Sequence, residues 1–218
     1  MKLIGPWLSG YTRRVGVTLN LLDIKYEHLN YHAYKQRDLV RQFSPMVRVP
    51  ALQLNDGEVL IDSNSIVDYL DSLVEPEQRL IPAGGHDRRR VMQWVGYATA
   101  CYDKLARYCD ESMLRPKEHQ LAPLQAEYER QLVAGLDVLN KERPSPWLLG
   151  SRITQGDVMA VIAYQGASLV IPASANAERF PNLAALSDRA MQMPAFNTTL
   201  PSLAELAESG LAPAAENA

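Results

Sequence analysis

At 218 residues the chain is long enough for one large domain or two modest ones, each with a core of its own. With 47% apolar and 22% charged residues it falls in the globular range, outside the low-hydrophobicity, high-charge profile of disorder. A formal charge of -3 leaves no surplus of cations to neutralise a phosphate backbone, which excludes nucleic acid as a general partner, and no run approaches the roughly 18 apolar residues of a membrane-spanning helix. Pro6 and Gly10 break the N-terminus before a signal-type apolar run can form, so the expected setting is soluble and cytoplasmic.

In chain order, Lys2-Leu3-Ile4 reads as a first strand, and beyond a turn at residues 6–10 the run 12–22 places Val15, Leu19 and Leu22 at helical spacing. Residues 25–30 read as a second strand, 38–43 as a short helix, and 45–50 as a loop bounded by prolines. Leu52 and Leu54 precede Asp56-Gly57, a dipeptide suited to a two-residue turn, and Val59 and Ile61 resume the alternation, which predicts an antiparallel hairpin. From Ser65, the residues Ile66, Val67, Tyr69, Leu70, Leu73 and Val74 trace an amphipathic helix that ends before Pro76. The order βαβαββα over residues 1–78 describes an α/β domain.

After Leu80-Ile81-Pro82-Ala83-Gly84-Gly85 no strand pattern follows and helical periods take over, which places a linker at 79–87 and an all-helical domain at 88–218. The helix expected over 87–113 carries Trp94, Tyr97, Cys101, Leu105 and Tyr108 in a stripe, and 123–141 and 154–170 read as further helices. Thr154-Gln155-Gly156-Asp157 has capping-box spacing with Asp where Glu or Gln is usual, and Ile153 and Val158 sit where a hydrophobic staple would fix the chain's entry. Pro181 opens another helix, which Pro194 stops, and the alanine-rich tail from Ala212 carries too little apolar bulk to pack firmly, so it is expected to be mobile.

Cys101 and Cys109 would stand about 12 Å apart on a helix, beyond the roughly 4.4–6.8 Å of a bridged pair, and read as core or pocket-wall thiols. His28, His32, His86 and His119 form no helical metal pair and have no neighbouring cysteine pair, so no protein-bound metal is expected.

The segment Leu8-Ser9-Gly10-Tyr11-Thr12-Arg13-Arg14-Val15 resembles the serine-type active-site segment of glutathione transferases, Ser-Pro-x-x-Arg-x-Val, with Gly10 in place of the common proline. Phe43-Ser44-Pro45-Met46-Val47-Arg48-Val49-Pro50-Ala51-Leu52 resembles the family's Asn-Pro-x-x-x-Val-Pro-x-Leu, and Asp62-Ser63-Asn64-Ser65-Ile66 resembles Glu-Ser-x-Ala-Ile. The capping box after Leu149-Gly150 recurs there too, so the likeness to serine-type, bacterial-like cytosolic glutathione S-transferases spans nearly the whole chain. It implies a thioredoxin-like N-terminal domain followed by an all-helical bundle, glutathione as co-substrate, no metal, and a homodimer.

On that resemblance Ser9 would donate a hydrogen bond to glutathione's sulfur from the N-terminal end of the first helix, favouring the thiolate. Moving a thiol from about 8.5 to about 6.5 takes roughly 2.7 kcal/mol, which a charge-assisted hydrogen bond of about 1.5–3 kcal/mol and a helix N-terminus of about 0.3–1 kcal/mol together supply. Ser9 as a plain helix cap, with Tyr11 or Thr12 as the donor, stays open. Val49-Pro50 fits a cis bond, whose cost is about 0.5–1 kcal/mol. In thioredoxin-like folds that bond turns backbone groups toward the ligand, so that a cysteinyl tripeptide can pair with Val49 as an added strand; a trans proline in a tight turn is the alternative. Ser63 and the free N–H groups of the next helix can receive the γ-glutamyl carboxylate while Asp62 faces its ammonium, or the two form only an N-cap. Arg48 or Lys35 would meet the glycyl carboxylate, with a solvated surface cation as the alternative for each.

A second substrate would enter an apolar cleft between the domains walled by Tyr11, Tyr97, Cys101 and Tyr108, although such a helical stripe also suits a core. With no cysteine before Cys101, disulfide exchange by the N-terminal domain is disfavoured, and conjugation of glutathione to small hydrophobic electrophiles is the expected chemistry. A glutathione-dependent isomerase, dehalogenase or peroxidase, and a non-catalytic binding or interaction protein, are the alternatives.

Overall fold

Leu3 and Ile4 are fully buried, and the strand that carries them lies inside a mixed four-stranded sheet. In the computed structural model, which describes residues 1–211, this sheet runs β2-β1-β3-β4, with β1 at Lys2–Ile4, β2 at Glu27–Leu29, β3 at Ala51–Gln53 and β4 at Val59–Ile61. β1 pairs parallel with β2 and antiparallel with β3, and β3 pairs antiparallel with β4. The tail expected to be mobile from Ala212 lies outside the described residues.

Three helices lie among the same residues 1–83: α1 at Gly10–Leu21, α2 at Arg37–Arg41 and α3 at Ser63–Ser72. Val15 and Leu19 of α1 and Ile66 and Leu70 of α3 meet Leu3 and Leu52 in one core cluster. Each such side chain contributes about 1.5–3 kcal/mol on burial, and together they fix α1 and α3 against one face of the sheet. The chain leaves α3 with the Asp71 carboxylate accepting the Leu80 and Ile81 N–H groups at 2.9 and 2.8 Å. The βαβαββα order is the thioredoxin-like one that the resemblance implies.

The hairpin is longer in its turn than the two-residue form expected. Leu54 N–H donates to the Glu58 carbonyl at 2.8 Å and Gly57 N–H to the Leu54 carbonyl at 3.2 Å, so Asn55, Asp56 and Gly57 form the loop. Gly57 takes a φ of +96°, the left-handed residue that a three-residue hairpin loop needs at that position.

The chain divides into two compact units, one of Met1–Ala83 with Met191–Leu206, the other built on Gly84–Ala190. The sequence reading assigns everything from residue 88 to the helical domain, whereas residues 191–206 cluster with the first unit because they pack on α1. Phe196 and Thr199 are fully buried, Asn20 Nδ2 donates to the Ala195 carbonyl at 3.3 Å, and Arg13 Nη2 lies 3.9 Å from the Met191 sulfur.

The second unit contains α4 (Gly85–Cys109), α5 (Ala122–Leu139), α6 (Gln155–Val170) and α7 (Pro181–Met191), followed in sequence by α8 (Pro194–Asn197) and α9 (Leu203–Glu208). α4 gives way to one π-helical turn at Asp110–Leu114, where buried Glu111 accepts from Arg115 Nε and from Leu121 N–H, both at 2.7 Å. α4 packs on both α5 and α6. The approach to α5 is close, because a Cβ on Gly135 would fall 2.3 Å from Cys101 Sγ. Gly135→Ala is therefore expected to destabilise the chain by about 1–3 kcal/mol through overpacking. Adding Cys101→Ala should restore most of the loss, and a urea-denaturation cycle in which the two substitutions simply add would contradict this packing.

At the start of α6 the capping box forms as expected. Thr154 N–H and hydroxyl both donate to Asp157 Oδ2 at 2.8 Å, the Thr154 side chain accepts from the Asp157 N–H, and Asp157 Oδ1 accepts the Leu148 N–H at 2.7 Å. Asp157 is fully buried, and that burial raises its carboxyl above the usual range against the pull of these donors.

Candidate functional site

Gly5 follows β1 and is the point at which the candidate site of the first unit comes together. A Cβ there would lie 2.3 Å from Thr12 Oγ1 and 2.9 Å from Val49 Cβ, so only a residue without a side chain lets the first turn of α1 and the Val49-Pro50 loop meet over the end of the strand. Gly5 also has a φ of +136°, disfavoured for any residue with a Cβ. His28 Nε2 lies 2.7 Å from the Gly5 carbonyl, and its ring stacks on Trp7 at 3.8 Å, which steadies the loop leading into α1. Burial lowers the His28 pKa from its ordinary value.

Ser9 is the N-cap of α1: its backbone is extended and its hydroxyl accepts the Thr12 N–H at 3.4 Å. That bond occupies an acceptor lone pair and leaves the hydroxyl proton to donate, so capping and a donor role coexist. Tyr11, two residues on from Ser9 in the first turn of α1, is half-buried. Thr12 is fully buried with its Oγ1 against Gly5.

The loop before β3 is organised by Ser44, which sequence reading passed over. Its carbonyl accepts the Val47 N–H at 2.8 Å and its hydroxyl the Arg48 N–H at 3.1 Å. This holds Val47 at a φ of +55°, a strained conformation for a β-branched side chain. The Val49-Pro50 bond that follows is cis, as the sequence reading expects, and Pro50 is buried while Val49 is half-buried.

Asp62 N-caps α3 by accepting the Asn64 N–H at 2.9 Å, and it too sits at a positive φ, +70°. Ser63, buried, is the first residue of α3. Arg48 reaches Asp62 at 3.9 Å, a pair 62% and 47% exposed that contributes little to stability. Lys35 is exposed in the turn between β2 and α2.

Arg14, to which the sequence reading gives no role, is buried against the start of α3. It is 1% exposed, and its Nη1 donates to Asn64 Oδ1 at 2.8 Å and to Ser63 Oγ at 3.2 Å. Burial lowers its pKa to about 10, opposed by the charges of Asp62 and Tyr11. A signal was present: α1 carries two arginines and no acid, so their partners must come from elsewhere in the fold.

The second-substrate residues expected on α4 differ in exposure. Cys101 is a core residue, a correction to its placement on a pocket wall: it is 2% exposed, its Sγ faces Gly135 and donates to the Leu132 carbonyl at 3.6 Å, and burial pushes its thiol up to about 12. The glycine on α5 is the cause, since it lets that helix cover the thiol. Tyr97 is 38% exposed on α4 and Tyr108 half-buried near its end. Among the described residues no group of His, Cys, Asp and Glu is arranged to hold a metal, and no helix is long and apolar enough to cross a membrane.

Comparison with known proteins bears on both halves. Residues 3–78 match the family described as glutathione S-transferase, N-terminal domain, and residues 99–194 match glutathione S-transferase, C-terminal domain. A probable glutathione S-transferase of Nicotiana tabacum is 25% identical over 214 residues, covering 94% of this chain and 90% of that protein. A maleylpyruvate isomerase of a Ralstonia species is 36% identical over 94 residues, 42% of this chain and 43% of that protein. Among solved structures, a glutathione S-transferase of Methylobacterium radiotolerans in complex with glutathione sulfonate is similar at a TM-score of 0.85 and 25% identity, over 92% of this chain and 94% of that one. A glutathione transferase family member of Pseudomonas fluorescens with bound glutathione is similar at 0.82 and 25%, over 92% and 98%. With both halves matched and the fold shared along nearly its full length, the chain belongs to the glutathione S-transferase family.

Proposed function

We propose that the chain is a glutathione transferase that holds glutathione in its first unit and adds the glutathione thiolate to small hydrophobic electrophiles. The observation that carries this reading is Ser9: a hydroxyl at the N-terminal end of α1 with its proton left to donate, in the same unit as the cis Val49-Pro50 bond and the start of α3. Ser9 stabilises the thiolate, and the backbone of Val49, next to Pro50, pairs with the cysteinyl residue. Ser63 and the N-terminus of α3 receive the γ-glutamyl carboxylate, Asp62 its ammonium, and Arg48 or Lys35 the glycyl carboxylate. Tyr11 stands on the same unit for contact with the second substrate. The solved relatives with glutathione sulfonate or glutathione bound support the choice of ligand. The setting proposed is a cytoplasmic homodimer, which light scattering tests.

A second reading is favoured by the stretch 36% identical to a maleylpyruvate isomerase. The same thiolate, adding reversibly to an activated double bond, would isomerise it rather than form a stable conjugate. Calorimetric titration with glutathione, followed by assays with a chlorodinitrobenzene and with maleylpyruvate, separates the readings. Saturable binding and a growing thioether signal are expected. Binding with isomerisation but no conjugation would replace the first reading by the second, and no binding at millimolar glutathione would sink both.

A further inference from the structure

Arg14 reaches the start of α3 from below, through the interior. A guanidinium is all donor and has no acceptor, so in its 3.2 Å contact with Ser63 the serine oxygen must accept. A serine hydroxyl has one proton, and with its oxygen engaged from the inner side that proton is left to donate elsewhere. The same Nη1 donates to Asn64 Oδ1 at 2.8 Å, which fixes the amide's orientation as well. The two residues that open α3 are thus both set from beneath by one buried cation. α3 is ten residues long, and its N-terminus already carries free N–H groups and the positive end of the helix dipole. A guanidinium beneath it adds positive potential at that place, and the thin layer of protein between them screens it far less than water would.

We infer that Arg14 is the positioning residue of the carboxylate subsite at the start of α3, holding Ser63 as a hydrogen-bond donor and raising the local potential for the γ-glutamyl α-carboxylate of glutathione. The inference rests on the proposed glutathione reading and deepens it. Arg14 does not touch the ligand in this scheme. It acts through Ser63 and Asn64, so its loss weakens recognition of one ligand group and leaves recognition of the rest.

The test compares glutathione with γ-aminobutyryl-cysteinylglycine, the analogue that lacks only the α-carboxylate. Calorimetry with the natural chain should show glutathione bound more tightly than the analogue. In Arg14→Met, affinity for glutathione should fall about 10-fold, the scale of a hydrogen bond to a charged group, while affinity for the analogue changes little. Conjugation kinetics should show the same loss as a raised KM for glutathione with a much smaller change in kcat, and Arg14→Lys should recover part of it by returning the charge without the fork. Should Arg14→Met fail to fold, Ser63→Ala and Arg14→Lys carry the test: both should lose discrimination between the two ligands, and combining them should lose less than the sum. Equal weakening toward both ligands, or undiminished discrimination, overturns the inference while the glutathione reading stands. Absence of glutathione binding by the natural chain overturns the reading itself.

Discussion

Replacing Asp157 with alanine is expected to destabilise the chain by about 4 kcal/mol, because it breaks a buried, charged hydrogen-bond network rather than a surface cap. The carboxylate accepts from the Leu148 N–H, the Thr154 N–H and the Thr154 hydroxyl, all within 2.8 Å and all in the interior. Its removal strands two backbone donors, each costing about 1–3 kcal/mol when left unmade. For a chain of this length that corresponds to a fall in melting temperature of about 8–16 °C. Thr154→Ala should cost only about 1 kcal/mol, since Asp157 keeps the Leu148 and Thr154 backbone bonds. Thermal unfolding followed by circular dichroism checks both, and an Asp157→Ala protein melting within about 3 °C of the natural chain would contradict the network. The acid dependence has a definite sign. Burial places the folded-state pKa of Asp157 above its ordinary 3.8, so the folded chain holds the proton more tightly than the unfolded one. This group's contribution to stability is greatest at acid pH and declines as pH rises through the window above 3.8, a slope that Asp157→Ala should remove.

Ser9→Ala is expected to lower kcat/KM for conjugation about 10- to 100-fold, the equivalent of one hydrogen bond to a charged sulfur. On the proposed reading the donor favours the thiolate, so its loss should raise the pKa of bound glutathione, and the rising limb of the pH–rate profile should move upward by about 1–2 units. Ser9 also caps α1, and alanine sacrifices the cap along with the donor. Glycine separates the two roles, since a glycine N-cap costs only a few tenths of a kcal/mol while it lacks the hydroxyl altogether. Ser9→Gly should therefore match Ser9→Ala in activity and exceed it in stability. A Ser9→Ala enzyme within about two-fold of the natural rate, alongside a Tyr11→Phe enzyme that loses it, would make Tyr11 the donor instead.

The residues that could be read from sequence are those whose signals are local. Lys2-Leu3-Ile4 forms the strand it spells, and Val15 and Leu19 face the core as their spacing requires. Thr154 and Asp157 form their box because both partners lie within one helical turn. Helix starts were displaced by caps: α1 begins at Gly10 because Ser9 caps it, and α3 at Ser63 because Asp62 does, where periodicity alone gave 12 and 65. What periodicity reports is which face of a helix is apolar, never what covers that face. Cys101 fits a pocket wall as well as a core until Gly135 is seen opposite it, and the partner of Arg14 lies about fifty residues away in sequence. The positive φ of Val47 and Asp62 leaves no trace in residue type, since neither is glycine. Ser9, Val49-Pro50 and Asp62-Ser63 become candidates through motif resemblance, whereas the contacts of Arg14 with Ser63 and Asn64 leave no mark in the sequence.

The return of residues 191–206 onto α1 bears on how the protein is made. A ribosome synthesises the sheet and its first helices before residues 84–190, and the segment that covers Gly16 and Asn20 emerges only after them. At about 5–20 residues per second, the nascent first unit waits on the order of 5–20 s with that flank of α1 uncovered. Its folding is therefore completed only after residues 84–190 have been made, rather than at the point where its sheet is finished.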